Sequence, residues 1–449
     1  MENSLLRYVI VPRPERPAAL LLPAESGWTL PFVDLPGHSF LMTGAINQAV
    51  HEELGLAIVI MRWLYRHETA PGVIADRVYA ADNLSPVWEP PVGARWVSQA
   101  ELAGLELAVP EHRAVLAAWF ADTALPEPPP GRAPWACPGW FRVASTWIGE
   151  ELERVGLKPT GPVMQLKTWS CACLLTVPTT GGMVYFKACS AQLSAEVGVT
   201  ALLAREFPAH APRLVVADQE RRWFLTRAFT GPLLKEIADL SRWEEVLRAY
   251  AHMQIALMPR TGLLLAAGCF DRSLPVIAAE LEQLLANTDL LVGDGRLTAA
   301  ELAALRAMAP ELRTCLQDLE RLGPPVTLDH GDFHPLNIAL DGERALIFDW
   351  SDVSVSHPFF GLVHLLDQLG SAAVPETDET RQRLRDAYLE PWTAQWPKEQ
   401  LAAALHAAER IHRVHAATFV ANQLLPGAET PDEWLWAPAY FLRKLLSAA

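Results

Sequence analysis

The stretch Leu328–Asp352, LDHGDFHPLNIALDGERALIFDWSD, is the most informative part of this 449-residue chain. The polar residues of interest within it are His330, Asp332, Asn337 and Asp349. An Asp341-Gly342 pair between two apolar runs predicts a hairpin turn. Phosphoryl transfer from ATP requires one carboxylate to accept a hydroxyl proton, and an amide and a second carboxylate to hold Mg²⁺. The alternative interpretation is a solvated loop with an Asx turn.

The residue types in this stretch predict separate roles. Asp332 is the candidate catalytic base, and Asn337 and Asp349 are the candidate Mg²⁺ ligands because both offer hard oxygen atoms. The five-residue spacing from Asp332 to Asn337 equals that of the protein-kinase pattern H-R-D-x-x-x-x-N. His330 is expected in the catalytic group mainly as a support for the loop through its ring hydrogen bonds. His334 faces either substrate or solvent.

This segment resembles the aminoglycoside phosphotransferase family, which includes choline-kinase-like enzymes. The residues that match its H-G-D-x-x-x-x-N loop and hydrophobic-Asp-Trp strand are His330–Asn337 and Ile347–Trp350. The family usually carries G-D-P-x-x-D-L after this strand, and the corresponding stretch here, His357–Leu362, reads HPFFGL. Gly361 therefore replaces an aspartate that supports the loop in the family. The matching positions are concentrated over residues 320–365, and they indicate almost nothing about the substrate.

The resemblance implies a kinase-like small lobe before the loop. Lys187, at the end of a predicted third strand, would reach the ATP phosphates if Glu196 on the next helix held it. The alternative interpretations are that Lys187 is a strand-edge lysine in solvent and that Glu196 is an exposed helix residue. Ser170 lies in a turn without glycine and could touch phosphate through its hydroxyl. The predicted adenine-binding residues, in the strand and hinge that follow, are Thr226, Ala228 and Phe229.

The first 124 residues resemble a Nudix hydrolase domain in the order of their elements. Glu52-Glu53-Leu54-Gly55-Leu56 matches the end of the Nudix box, E-E-x-G-hydrophobic. The positions that depart from the box are Asp34, Phe40, Gln48 and Ala49. Such an enzyme needs several carboxylates on one helix face to bind metal and activate water. A degenerate domain kept for packing or ligand binding is therefore expected, and retained pyrophosphohydrolase activity is the alternative.

The periodicity of apolar residues predicts further elements in both halves of the chain. The predicted N-terminal elements are strands Leu6–Val11, Ala18–Leu22 and Trp28–Val33 and helix Thr43–Leu54 with Thr43 as its N-cap. The predicted later helices are Ser194–Glu206, Ser241–Leu257, Val276–Ala286, Thr298–Leu322 and Pro397–Leu425. The segment 125–138 contains six prolines and predicts a linker.

Composition limits the possible partners and location. A net charge of −15 argues against nucleic acid and anionic membrane as partners and would favour a cationic small molecule. No apolar run reaches the ~20 residues of a membrane span, and the first residues predict a strand rather than a signal peptide. The six cysteines contain no C-x-x-C pair, so reduced thiols and a cytoplasmic protein are expected. Oligomeric state is not readable.

The predicted fold class is α+β: a bilobal protein-kinase-like fold preceded by an α/β Nudix-like domain. The predicted domain limits are 1–124 for the Nudix-like domain, 125–138 for the linker, 139–231 for a β-rich small lobe and 232–449 for a helical large lobe. The predicted function is ATP- and Mg²⁺-dependent phosphorylation of a hydroxyl of a small molecule. The alternative is a non-catalytic nucleotide-binding regulator, a pseudokinase joined to a degenerate Nudix module.

Overall fold

The computed structural model describes residues 5–14, 16–35, 42–70 and 73–447. The chain has a mixed α+β fold, as predicted, and divides into two compact units, residues 1–190 and 191–449. This boundary falls inside the segment predicted as the small lobe, and the four predicted domain limits stay predictions. Phe40, compared above with the Nudix box, lies outside the described residues. Within the described ranges, no helix combines the length and apolar character needed to cross a bilayer.

The first unit contains a mixed four-stranded sheet in the order β4-β1-β6-β5, in which only β1 and β6 are parallel. Its early elements are β1 Leu5–Ile10, β2 Ala18–Pro23, β3 Trp28–Thr29, β4 Phe32–Leu35, α1 Thr43–Leu54, β5 Ile58–Ala70, β6 Val73–Asn83, β7 Arg95–Ser98, α2 Gln99–Leu102 and α3 His112–Thr123. Its later elements are α4 Trp140–Arg154, β8 Met164–Thr168, β9 Ala172–Thr179 and β10 Gly182–Cys189.

Two local predictions for the first unit are wrong. The strand predicted over Trp28–Val33 is split into β3 and β4 around Pro31, whose backbone has no N–H to donate to a ladder. The N-cap of α1 is Met42 rather than Thr43, and no side chain caps the helix there. Thr43 is instead the first helical residue and is buried. The predicted end of α1 is confirmed, because Gly55 adopts a left-handed φ of 64°.

Strand β8 packs against the N-terminal block of the same unit. Gln165 accepts hydrogen bonds from Asn47 Nδ2 at 2.8 Å and from the Ile60 N–H at 3.1 Å, and its own amide donates to the Ile60 carbonyl at 2.7 Å. A Cβ atom added at Gly44 would lie 2.3 Å from the Gln165 carbonyl oxygen. The proline-rich segment therefore joins two blocks that form one packed body.

The second unit is mostly helical, as its periodicity predicts. Its elements before the loop of interest are α5 Ala195–Glu206, β11 Leu214–Asp218, β12 Trp223–Arg227, α6 Leu240–Leu257, α7 Thr261–Ala266, β13 Phe270–Asp271, α8 Leu274–Ala286, α9 Thr288–Leu291 and α10 Ala299–Leu322. Those within and after it are β14 Thr327–Asp329, β15 Ile338–Asp341, β16 Arg344–Ile347, β17 Ser354–Ser356, α11 Phe359–Asp367, α12 Asp378–Leu389, α13 Lys398–Phe419 and α14 Trp436–Ser447.

Helix α6 holds the strand that leads into the loop. Gln254 on this helix is fully buried, and its amide donates to the carbonyls of Leu328 at 2.8 Å and Pro358 at 3.1 Å. Thr327 donates back to the Gln254 carbonyl at 2.7 Å. These bonds connect β14 to the start of α11 through one buried side chain, so the two ends of the site are supported by the same helix.

The predicted hairpin at Asp341-Gly342 is confirmed. Strands β15 and β16 pair in antiparallel register from Ile338 opposite Ile347 to Asp341 opposite Arg344. Gly342 has a φ of 66°, the left-handed conformation that glycine adopts without strain. The hairpin therefore brings its open end, where residues 337 and 348 meet, next to the loop that precedes it.

Candidate functional site

The loop after β14 turns at a position that only glycine can occupy. Gly331 has a φ of 78°, and a Cβ atom there would lie 2.2 Å from the Asp352 carbonyl oxygen. Any other residue would clash with backbone and adopt a strained conformation. The glycine lets the chain pass from buried His330 to partly exposed Asp332 within two residues.

His330 supports this loop as a neutral ring. Burial lowers its pKa to about 4, so near pH 7 the imidazole carries one N–H. Its Nε2 lies 3.0 Å from the Phe348 carbonyl and its Nδ1 lies 3.3 Å from the Asp332 backbone nitrogen. The consistent arrangement is Nε2–H donating to Phe348 while Nδ1 accepts the Asp332 N–H. The ring packs against Trp350, with centroids 4.4 Å apart.

The Asp332 carboxylate is held at both oxygens by imidazoles. His364 Nε2 lies 3.1 Å from Oδ1, and His334 Nε2 lies 3.2 Å from Oδ2. His334 Nδ1 accepts the Leu336 N–H at 3.1 Å, which leaves its Nε2 as the donor to Asp332. The side chain of Asp332 keeps 37% of its surface exposed. A small molecule can therefore reach a carboxylate whose orientation is already set.

The electrostatics keep Asp332 ionised. Burial alone would raise its pKa, but the hydrogen bonds and charge of His334 and His364 outweigh burial and hold the pKa well below its ordinary value. Hydrogen bonds to the charged form of a carboxylate always act in this direction. Asp332 is therefore an acceptor, not a donor, of a proton or hydrogen bond near neutral pH.

Asn337 is joined directly to Asp332. Its Nδ2 donates to the Asp332 carbonyl at 3.0 Å and to Asp332 Oδ2 at 3.2 Å. The planar amide then turns its carbonyl oxygen away from Asp332. Asn337 is buried, and its backbone carbonyl accepts the Phe348 N–H at 3.0 Å. An oriented amide oxygen beside a carboxylate is suited to a hard cation such as Mg²⁺.

Asp349 follows the hairpin in an unusual backbone conformation. Its φ is 64°, one of two positive values among the described residues other than glycine. Aspartate tolerates the left-handed region better than most side chains, and such conformations concentrate at functional sites. The preceding Phe348 is bonded to both Asn337 and His330. The backbone of Asp349 is thus anchored to the same two residues that hold Asp332.

The predicted nucleotide-binding residues fall in both units. Thr226 is buried in β12, with Ala228 and Phe229 just beyond its end. The Phe229 ring lies 4.8 Å from the ring of Phe348, next to Asp349. Glu196 is buried in the first turn of α5. In the first unit, Lys187 is buried in β10 and Ser170 lies in the turn before β9, and their relation to the loop stays a prediction.

His364 is the residue that the sequence analysis missed. It lies on α11, more than thirty residues after Asp332 along the chain, and it contacts the carboxylate only because α11 packs beside the loop. One signal was available: His364 is the sole polar side chain in the helical run Phe359–Leu366. An isolated histidine on an otherwise buried helix needs a partner, since its ring nitrogens must be satisfied.

The acidic end of α1 has no comparable geometry. Glu52 and Glu53 are exposed, and Glu52 accepts a hydrogen bond from Gln48 at 2.8 Å. In the part of the chain that the structure describes, no cluster of three or more His, Cys, Asp or Glu side chains could hold a metal ion. The Nudix-like domain predicted for residues 1–124 is not confirmed.

The chain is similar to several solved structures, all at low identity. The macrolide 2′-phosphotransferase type I is 18% identical, with a TM-score of 0.47 over 67% of this chain and 97% of that one. The GDP complex of wild-type aminoglycoside 2′-phosphotransferase-IIIa is 14% identical, with a TM-score of 0.49 over 68% and 98%. A choline/ethanolamine kinase family protein from Mesorhizobium loti is 15% identical, with a TM-score of 0.44 over 64% and 88%. A search of curated proteins found no match.

A family comparison gives the more specific result. Residues 183–397 match the phosphotransferase enzyme family, APH. The matched range includes the loop, the hairpin and α11, and it includes every predicted site residue except Ser170. The motif resemblance noted in the sequence agrees with this match, which covers just under half of the chain.

Proposed function

We propose that this protein is an ATP- and Mg²⁺-dependent phosphotransferase that acts on a hydroxyl group of a small molecule. The single observation that carries the proposal is the state of Asp332. It is an ionised, oriented and accessible carboxylate, bonded directly to the amide of Asn337. The family match of residues 183–397 supports the same reaction class.

In the proposed reaction, the acceptor hydroxyl oxygen forms a bond to the γ-phosphorus of ATP. The bond from that phosphorus to the β–γ bridging oxygen breaks, and ADP leaves. Asp332 orients the hydroxyl and accepts its proton as the transfer proceeds. Because the depressed pKa makes Asp332 a weak base, its main contribution is orientation, with proton transfer late in the reaction. His334 and His364 keep the carboxylate in position.

The proposed metal ligands are Asn337 and Asp349. Their oxygen atoms suit Mg²⁺, which would neutralise charge on the transferring phosphoryl group when bound. The chain's own contribution is orientation: Asn337 is fixed by Asp332, and Asp349 by the backbone bonds of Phe348. For the nucleotide, we propose contacts from Glu196, Thr226, Ala228 and Phe229 of the second unit; the pairing of Lys187 with Glu196 and the contact of Ser170 stay predictions from the sequence.

The proposed acceptor is a small hydroxylated molecule. The net charge of −15 favours a cationic molecule. The two side chains that contact the Asp332 carboxylate are imidazoles rather than further carboxylates, so these contacts add no support for a cationic acceptor. A preference for cationic acceptors therefore rests on the net charge alone.

The direct test is ATP consumption across a panel of hydroxylated metabolites and antibiotics, with Asp332→Ala as the matched control. We expect at least one compound to raise ATP consumption in the wild type and not in the variant. A thermal-shift titration with Mg²⁺–ATP should be run in parallel, because a ligand at 100 times its Kd adds about 2.7 kcal/mol of stability. Stabilisation without turnover on any compound would favour the regulatory alternative.

A further inference from the structure

A second aspartate lies three residues before Asp332, in a different environment. Asp329, the last residue of β14, is fully buried. Neither carboxylate oxygen has a hydrogen-bond partner of ordinary distance and angle in the described ranges. The backbone N–H groups of Gly331, Gly361 and His330 nevertheless lie close enough to favour its charged form, as does Arg272. The carboxylate thus faces amides from two elements, the loop and α11.

Gly361 leaves the space that this carboxylate uses. A Cβ atom built at Gly361 would lie 3.3 Å from Asp329 Oδ1 and 3.0 Å from the Tyr250 hydroxyl. An aspartate at 361 would therefore crowd Asp329 and place two carboxylates together. The motif comparison had shown an aspartate missing at 361. The structure has a carboxylate beside the Cβ position of residue 361, supplied from β14.

The position of Asp329 connects the two elements that orient Asp332. On one side, the next residue is His330, whose N–H donates to the Tyr250 hydroxyl at 3.0 Å. On the other side, Gly361 lies one helical turn before His364, whose ring holds Asp332 Oδ1. A shift between the loop and α11 would therefore change the contact between His364 and Asp332.

Stability alone does not account for an acid at this position. Burial raises the pKa of Asp329 to about 7, with Gly331, Gly361, Arg272 and His330 acting in the opposite direction. The other titratable groups that face it, Tyr250 and Tyr388, are buried as well. A buried carboxylate without well-formed hydrogen bonds lowers the stability of a folded protein. Such local cost is expected where a residue serves a site.

We propose that Asp329 is a positioning residue for the transfer reaction: its carboxylate holds the loop that carries Asp332 against helix α11, in place of a side chain at position 361. This inference rests on the proposed function for its catalytic consequence. Its structural part, the attachment of the loop to α11, is independent of the acceptor. The two parts can therefore be tested separately.

The structural part is tested by hydrogen–deuterium exchange of the free protein. The variants are Asp329→Ala, Gly361→Asp and the reciprocal pair Asp329→Ala/Gly361→Asp, with Glu320→Ala on the exposed face of α10 as the control. We expect peptides over residues 330–336 to exchange at least ~10-fold faster in Asp329→Ala. The reciprocal pair should return to within about 3-fold of the wild type, because the removed side chain leaves room for the new one.

Unchanged exchange in Asp329→Ala would overturn the proposal, and so would a reciprocal pair that exchanges as fast as the single variant. Should Asp329→Ala fail to fold, recovery of a folded protein by the added Gly361→Asp is the supporting result. Failure to recover is then the overturning one.

The catalytic part is tested with Mg²⁺–ATP and the acceptor found in the panel. We expect Asp329→Ala to lower kcat by ~10- to 100-fold, since small misplacements of catalytic groups have effects of this size. The KM for ATP should stay unchanged, and the reciprocal pair should regain most of the lost kcat. Equal kcat in wild type and Asp329→Ala would overturn the positioning role. Absence of wild-type turnover would instead remove the proposed function, while the exchange result would still stand.

Discussion

Two regions of this molecule carry adjacent carboxylates, and they differ in what surrounds those groups. Glu52 and Glu53 on α1 are exposed, and Glu52 accepts a hydrogen bond from Gln48 on the same helix. Asp329, at the end of β14, and Asp332, in the loop that follows, lie where amides, imidazoles and an asparagine from the loop and α11 converge. The difference shows that acidic residues in a motif become a site only when other elements fix them.

The physical reason is the number of directions from which a side chain is held. Consecutive residues of a helix point about 100° apart, so Glu52 and Glu53 cannot converge on one ion without help from another element. The loop after β14 has that help from α6, α11 and the β15–β16 hairpin. The two aspartates, three residues apart, therefore have opposite pKa shifts. The pKa of Asp329 is raised to about 7, and the pKa of Asp332 lies well below its ordinary value.

The largest effect is expected from Asp349→Asn, which would show whether the loop region depends on a cation at all. The change keeps side-chain size and removes the charge proposed to anchor Mg²⁺. We expect it to abolish turnover and to remove most of the Mg²⁺ contribution to ATP binding, while metal-free nucleotide binding survives. Calorimetry with and without Mg²⁺ measures both. Tight Mg²⁺-dependent ATP binding by the variant would show that the ion is held elsewhere.

The next largest effect is expected from Asp332→Ala. Turnover should fall by at least ~10²-fold because a positioned base is lost. Asp332→Asn is the matched variant, since it retains size and some hydrogen bonds but cannot accept the proton. We expect a loss of similar size in both, with ATP affinity largely kept. Steady-state kinetics and nucleotide titration give the two values. Full turnover in either variant would remove Asp332 from its proposed role.

His364→Ala sharpens the comparison, because it removes a partner of a carboxylate rather than the carboxylate. A hydrogen bond to a charged group contributes about 1.5–3 kcal/mol, which corresponds to roughly 10- to 100-fold in kcat. The pKa of Asp332 should rise toward its ordinary value, so the acidic limb of the pH–rate profile should move to higher pH. His51→Ala on the exposed face of α1 is the control and should leave the profile unchanged. An unshifted limb in His364→Ala would contradict the assignment.

The Asp329→Asn variant should change the pH dependence of folding stability. In the wild type the folded-state pKa is about 7, above the unfolded value near 3.9. Between these values the unfolded chain loses the proton first, so stability falls as pH rises. Above pH 7 the free energy of unfolding is lowered by roughly 4 kcal/mol. The variant has no carboxyl group here and so lacks this loss. The amount by which its Tm exceeds that of the wild type should therefore be larger at pH 8 than at pH 4. A pH-independent difference in Tm would refute the buried-acid interpretation.

The smallest effect is expected on α1. Glu53→Gln should leave turnover, Tm and nucleotide binding unchanged within error, because Glu53 is exposed and such surface changes usually alter stability by less than about 0.5 kcal/mol. The measurement is metal-dependent release of nucleoside monophosphate, which we expect to be absent in both proteins. Release that the variant abolishes would support Nudix-type hydrolase activity in the first unit and would contradict the contrast drawn between the two regions.

The features that could be predicted from the sequence are those set by short-range interactions. Helix α1 and its glycine end, the Asp341-Gly342 turn and the run of Asp332, Asn337 and Asp349 depend on neighbours within about twenty residues. Glycine and hydrophobic periodicity act over this range. The errors at Thr43 and Pro31 concern element ends, where competing backbone and side-chain hydrogen bonds decide between a cap, a helical residue and a strand break.

Only the tertiary structure determined which distant residues complete the site. His364 contacts Asp332 because α11 packs against the loop, and a motif gives no distance across that gap. Gly361 looks like a missing aspartate in sequence, whereas the packing of β14 beside α11 brings Asp329 to the same space. Residue spacing along one loop is fixed by bonds and local conformation. Contacts between loop and helix depend on how side chains fill the shared core, which requires the packed structure.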